Sequence, residues 1–328
     1  MDGAEIITER EGVLVRRLTG DASIAEVLAL LRAGERAVGA PLVDEAEQQR
    51  LERLADDPSA RADHWHSLLA TRAEIVVGYG GLVAPHQPDG VAIGDAAPSP
   101  RHPPTSATLA ALLAGLERLA GRTDAGRLQV WVRHAGQEEA DVAAQQGFGV
   151  ERRLGVLGRA LDGPLPAAPD AAARVRAFRP GQDDAAVVDV LASAYADTPE
   201  AGWDLRQLRE RQELPWFRPE DLLLAQLPGD GDEPGRIAGI HWLKRREPAV
   251  GEVYNLAIHP RAQGSGVGAL LLRAGLEHLK AIGCREVVLW VDLGNERAVR
   301  LYASQGFETR WQDLALVKAL DAAASGLS

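Results

Sequence analysis

The chain has little with which to build cross-links or metal centres. One of its 328 residues is cysteine, Cys284, so neither an internal disulfide nor a cysteine-based zinc site can form. Cys284 lies just before the apolar run Val287-Val288-Leu289, where a small buried hydrophobe is expected rather than a nucleophile. The eight histidines show no metal-ligand spacing. His64 and His66 form an i, i+2 pair, which a helix would splay to different faces, so no metal is expected. No apolar run approaches the ~20 residues that span a bilayer. The acidic start Met1-Asp2-Gly3-Ala4-Glu5 is not followed by a signal-peptide core, and a cytoplasmic protein is expected. Positive charge is also short: 36 Lys and Arg against 47 Asp and Glu leave a net charge of −11. Such a surface gains nothing from counterion release, which argues against a nucleic-acid partner. One anionic ligand needs only a local cluster of N–H groups.

What is present is a globular composition, 46% hydrophobic and 25% charged, long enough for two domains. Residues 161–173, rich in Pro and Ala without apolar periodicity, read as a linker. Across it the chain repeats itself. Gln129-Val130-Trp131-Val132 and Gln145-Gln146-Gly147-Phe148 recur as Leu289-Trp290-Val291 and Ser304-Gln305-Gly306-Phe307, each shifted by 159 residues, and Ala160-Leu161 recurs as Ala319-Leu320 at the same shift. A constant offset across separate elements indicates two copies of one fold. The expected organisation is a domain over 1–160, a linker over 161–173 and a second domain over 174–328, in a monomer whose halves pair intramolecularly.

In the second copy, Leu222–Ala225, Arg236–Trp242 and Glu252–Ile258 read as strands. Val267 to Ile282 carries apolar residues at helical spacing with Gly283 just past its end. A strand at Val287–Val291, a helix at Arg297–Gln305 and a strand at Leu314–Val317 follow. The fold class is α/β, with antiparallel strands preceding β-loop-α-β-α-β in a mixed sheet.

Between the third strand and the long helix lies Gln263-Gly264-Ser265-Gly266-Val267-Gly268. Glycines there let backbone N–H groups converge on one point at a helix N-terminus, which suits a pyrophosphate. Gly264, Gly266 and Ala269, with Asp292 ending the next strand, also fit a dinucleotide fingerprint loosely. Against that, five residues separate the strand from the first glycine, and antiparallel strands come first.

The spacing of Gln263, Gly266 and Gly268 after a strand, followed by Asn295, Tyr302 and Gly306-Phe307, resembles the GNAT superfamily of N-acetyltransferases from about Arg174 onward. Gly202-Trp203, Pro215-Trp216-Phe217, His241-Trp242, Lys244 and Gly251-Glu252-Val253-Tyr254 are similar to the mycothiol synthase family within it, which also has tandem domains. The resemblance implies acetyl-CoA as co-substrate and a small amine as acceptor: the cysteinyl amine of a cysteine–glucosamine–inositol precursor. Leu256, Ala257 and Ile258 would hold the pantetheine arm. Gln263, Gly264, Ser265, Gly266, Val267, Gly268 and Ala269 would cradle the pyrophosphate, and Asn295 to Arg300 would line the far side. Glu252 would deprotonate the amine and Tyr302 would protonate the departing thiolate, with Glu200, Lys244, Glu252 and Trp290 on the acceptor. Another small amine, a protein N-terminus, or a non-catalytic CoA-binding module are the competing readings. Shifted by 159 residues, the loop falls on Pro104–Leu109 after Pro103; Ala107 replaces Gly266, Leu109 replaces Gly268, and Ala143 replaces Tyr302. The first copy is therefore expected to be degenerate.

Overall fold

The structure, a computed structural model, describes residues 5–18, 21–57, 64–85, 90–167, 171–196, 198, 201–229 and 235–320. It divides into two compact units. The first half of the chain forms β1 (Ile6–Arg10), β2 (Val13–Arg17), α1 (Asp21–Val38), α2 (Glu45–Asp56), β3 (Trp65–Arg72), β4 (Ile75–Val83), β5 (Gly90–Pro98), α3 (Thr105–Ala120), β6 (Ala125–Val132), α4 (Gln137–Ala144) and β7 (Gly149–Ala160). The second forms β8 (Arg174–Ala177), α5 (Asp184–Ala194), α6 (Leu205–Gln212), β9 (Leu222–Gln226), β10 (Ile237–Glu247), β11 (Val250–Ile258), α7 (Val267–Ala281), β12 (Glu286–Asp292), α8 (Glu296–Ser304) and β13 (Glu308–Ala319).

The units do not follow the linear halves. One takes Met1–Gly155 together with Trp311–Ser328, the other Val156–Arg310. Leu314–Ala319 of β13, read from the sequence as the closing strand of the second copy, instead pairs antiparallel with β6. The far end of β7 lies in the second unit, beside β12. The repeat explains why this was hidden. Both strands are 12 residues long and end in Ala, so either satisfies the same slot, and only partner contacts decide which slot each fills.

In the first unit the order is β1-β2-β3-β4-β5-β6-β13, parallel only between β5 and β6. Leu109, Leu112, Leu113 and Leu116 of α3 are fully buried on one face, while Ile24 and Val27 of α1 and Leu51 of α2 pack on the other. The second unit repeats this plan with β7-β12-β11-β10-β9-β8. Its helix α7 buries Leu271, Leu272, Leu276 and Leu279 on one face, each worth roughly 1.5–3 kcal/mol. On the opposite face α5 and α6 enclose Trp242, which is surrounded by Trp203, Trp216, Phe217 and Tyr254.

His241, next along β10, points the other way, beneath α7. It is fully buried, and its Nδ1 donates to the Leu271 carbonyl at 2.8 Å. Gly275 makes room for it: a Cβ there would come within 2.2 Å of the imidazole. Burial pushes the His241 pKa down to about 4 despite that hydrogen bond. The unfolded chain therefore binds a proton between pH 4 and 6.5 that the folded chain refuses. The stabilisation from neutral His241 is complete above pH 6.5 and lost as pH falls towards 4, about 3 kcal/mol in all. Urea unfolding at pH 7 and pH 4.5 should show a steeper acid loss for the native protein than for His241→Gln. Equal losses would remove His241 from the acid sensitivity.

Candidate active site

The loop before α7 adopts the conformation its glycines permit. Gly264 and Gly266 have φ of 84° and 81°, left-handed values at which a side chain costs roughly 1–2 kcal/mol. A single 3-10 turn, Pro260–Ala262, leads in from β11, and Ser265 Oγ donates to the Ala262 carbonyl at 2.6 Å. No side chain caps α7 at Gly266, and the first-turn amides of an α-helix have no acceptor within the helix. Their N–H groups and the helix dipole form a concentrated donor for an anion. Val267 turns its side chain into the core; its contribution, like that of Ser265, is backbone.

β11 supplies the other wall. It pairs in parallel with β12 at Val250↔Glu286, Gly251↔Val287 and Glu252↔Val288, and no further. Beyond Glu252 the two strands part, which leaves polar groups on one edge of β11 for a ligand. On its other edge β11 keeps pairing with β10, but the register slips between Trp242↔Asn255 and Leu243↔Val253. Tyr254 is the extra residue of this β-bulge. Because side chains alternate along a strand, one inserted residue reverses the faces beyond it. Glu252 and Tyr254, then Asn255 and Ala257, thus share the α5 side, while Val253, Leu256 and Ile258 turn towards α7, as the two core clusters show.

The parting of β11 and β12 opens a cleft of about 310 Å³. Of the residues singled out in the sequence it brings together Leu256, Ala257, Ile258, Gln263, Gly264, Gly266, Gly268, Ala269, Asn295 and Tyr302. Arg300 is not there. It pairs with Glu296 at 2.9 Å in solvent, and Arg297, one turn earlier on α8, lines the cleft instead. Arg297 donates to Gln263 Oε1 at 2.6 Å, which ties α8 to the loop and places a cation beside the uncapped amides. Asn295 caps α8 by accepting from Ala298 N at 3.1 Å.

Tyr302 is buried, with its ring edge-on to Phe307 at 5.6 Å. Burial, with a smaller contribution from Tyr195, raises its pKa well above the usual phenol value. It is a hydrogen-bond donor at any physiological pH. Tyr195, at the end of α5, lines the same cleft and donates to Asn255 Oδ1. Neither Tyr195 nor Asn255 stands out in the sequence, although a polar Asn inside an apolar strand was a signal available to be read.

The proposed acceptor residues lie around the point where the strands part. Glu252, nearly buried, stands opposite Lys244 and beside Val288. Arg246 pairs with Glu252 at 3.3 Å and lies over the Trp290 ring, 4.8 Å from its centroid. Lys244 lies over Trp216 at 5.1 Å. Arg246 was missed, though its spacing from Lys244 places both on one strand face. Glu252, Lys244 and Trp290 do not line the cleft, and Glu200 lies outside the described residues. Among the described residues no cluster of His, Cys, Asp or Glu could hold a metal. His66 accepts from Arg17 at 2.8 Å; Cys284 is buried.

The matching region of the first unit is built differently. β5 and β6 stay paired through Asp95↔Trp131, and β4 and β5 run in register from Gly78↔Pro98 to Val83↔Ile93 without a bulge. Pro103 and Pro104 cannot donate, and Arg72 donates to both of their carbonyls, at 3.1 and 3.2 Å.

Residues 188–307 match the Acetyltransferase (GNAT) family. Over 295 residues the chain is 35% identical to the mycothiol acetyltransferase of Stackebrandtia nassauensis, covering 88% of this chain and 93% of that one. It is 38% identical over 293 residues to the mycothiol acetyltransferase of Thermomonospora curvata, covering 88% and 91%. Among solved structures, a GCN5-related N-acetyltransferase from Sphaerobacter thermophilus matches with a TM-score of 0.67 at 20% identity, over 95% of this chain and 97% of that one. A tandem GNAT protein from the clavulanic acid biosynthesis pathway matches at 0.59 and 18%, over 94% and 99%. These structures share the fold, and the second shares the tandem plan.

Proposed function

From the premise that this chain belongs to the mycothiol acetyltransferase family of GNAT enzymes, we propose that it moves the acetyl group of acetyl-CoA to the cysteinyl amine of a cysteine–glucosamine–inositol, giving mycothiol. The observation that carries this reading is one cleft holding three different devices: an uncapped helix N-terminus with Arg297 beside it, a free strand edge, and a buried phenol. The first suits a pyrophosphate, the second an amide-rich pantetheine arm, the third a departing sulfur.

In the proposed reaction Glu252 takes a proton from the acceptor ammonium, directly or through water. The amine nitrogen attacks the thioester carbonyl, and a backbone N–H of the Leu256–Ala257 stretch donates to the oxygen as it becomes an anion. The carbon–sulfur bond then breaks. Tyr302, kept protonated by its surroundings, donates to the sulfur, and the nitrogen's second proton passes through water to the tyrosinate as the amide forms. Complete proton transfer requires that burial raise the thiolate pKa too, since a phenol of raised pKa gives up its proton only to a comparably strong base. Lys244 and Trp290 would meet the sugar–inositol portion. We further propose that the first unit is non-catalytic and that the enzyme works as a cytoplasmic monomer.

Mass spectrometry of the acceptor separates the alternatives. Purified protein with acetyl-CoA should acetylate the cysteinyl precursor, and should still do so when its thiol is methylated. Acetylation of glucosamine–inositol lacking cysteine, or of nothing, would sink the mycothiol reading. Titration of the whole chain should show one acetyl-CoA site; two would overturn the degenerate assignment. Gly266→Val, which forces a β-branched residue to φ 81°, should abolish that single site, and unaltered binding would show that the pyrophosphate lies elsewhere.

A further inference from the structure

We propose that Tyr195, pinned through its hydroxyl to Asn255, sets the acyl length that the cleft accepts. This rests on reading the cleft as an acyl-CoA site. The pyrophosphate end is marked by the loop Gln263–Ala269 and by Arg297, at the far end of β11. An arm lying along the free edge of β11 from there must carry its thioester back towards Leu256 and Asn255, on the stretch where β11 no longer pairs with β12. Tyr302, the group proposed for the departing sulfur, lines the same cleft as Tyr195.

What lies beyond the sulfur is set by the bulge. By shifting the register at Tyr254 it turns Asn255 onto the α5 face, where the Tyr195 hydroxyl donates to Asn255 Oδ1 across 60 positions of sequence. The bond adds a fixed point at the hydroxyl tip of a ring that already packs against the core at the end of α5, where Tyr195 is the C-cap residue. Among the described residues of the lining, Ala194 and Ala257 are small, and Tyr195 is the bulky side chain between the end of α5 and β11. The ring therefore closes the space into which a second or third acyl carbon would extend. A rigid wall discriminates better than a mobile one, and one methylene against a fixed wall changes kcat/KM by ~10–200-fold.

The test compares acetyl-, propionyl- and butyryl-CoA in the intact chain, with CoA binding measured by calorimetry in parallel. The native enzyme should prefer acetyl over propionyl by at least ~10-fold. Tyr195→Ala should remove most of that preference, and Tyr195→Phe, which keeps the ring but loses Asn255, should give an intermediate ratio. If Tyr195→Ala proves unstable, Asn255→Val removes the same bond from the other side and should reproduce the Phe result. An acyl preference unchanged in Tyr195→Ala while CoA still binds overturns the proposal and leaves the cleft reading intact. A native protein that binds no CoA overturns both.

Discussion

Tyr302→Phe is expected to lower kcat by ~10²–10⁴-fold while acetyl-CoA affinity is unchanged. The substitution removes one oxygen and keeps the ring that packs edge-on against Phe307, so folding and the cleft wall survive. What disappears is the only phenol of the cleft not already bonded to Asn255. A donor aimed at developing negative charge in a dry site is worth far more than one in water. Since burial holds the phenol well above its usual pKa, Tyr302 should contribute no ionisation to the rate profile below about pH 10. Measured kcat within a few-fold of the native value would remove Tyr302 from the leaving-group role. An equal loss of CoA affinity would make it a binding residue.

Glu252→Gln should show the second large effect, a fall of ~10²–10³-fold in kcat/KM for the acceptor. Gln keeps the volume and can still accept from Arg246, now 3.3 Å from the carboxylate, so a loss reports the missing base and not a collapsed contact. The pH dependence carries the sign. At low pH the amine is an ammonium and needs the base most; at higher pH more of it arrives already deprotonated. The deficit should therefore be greatest at low pH and shrink as pH rises through the amine pKa. A deficit constant with pH would place Glu252 among the groups that merely bind the acceptor.

Much of this site is written in short stretches of chain. Positive φ at Gly264 and Gly266, an uncapped helix start at Val267 and an Asn cap at Asn295 are local conformational preferences, and residue type alone signals them. The sequence assigned Asn295 to Arg300 to the far side of the cleft; the structure puts Asn295, Arg297 and Ala298 in the lining and leaves Arg300 on Glu296, because a motif fixes the helix but not how its side chains are shared between cleft and solvent. Tyr195 and Asn255 are 60 residues apart, and nothing in either segment predicts that they touch.

By itself the sequence showed two copies of one α/β fold, a glycine-rich loop at a helix start in the second, and the absence of those glycines from the first. Each of these is a property of nearest neighbours along the chain or of an offset within it. Only the tertiary structure decided that β13 joins the first unit, that β11 bulges at Tyr254, and that β11 and β12 part after Glu252. Those are matters of register between strands. Alternating side chains satisfy several registers about equally, and the choice falls to packing across the sheet, here of α5 and α7 against opposite faces of β11.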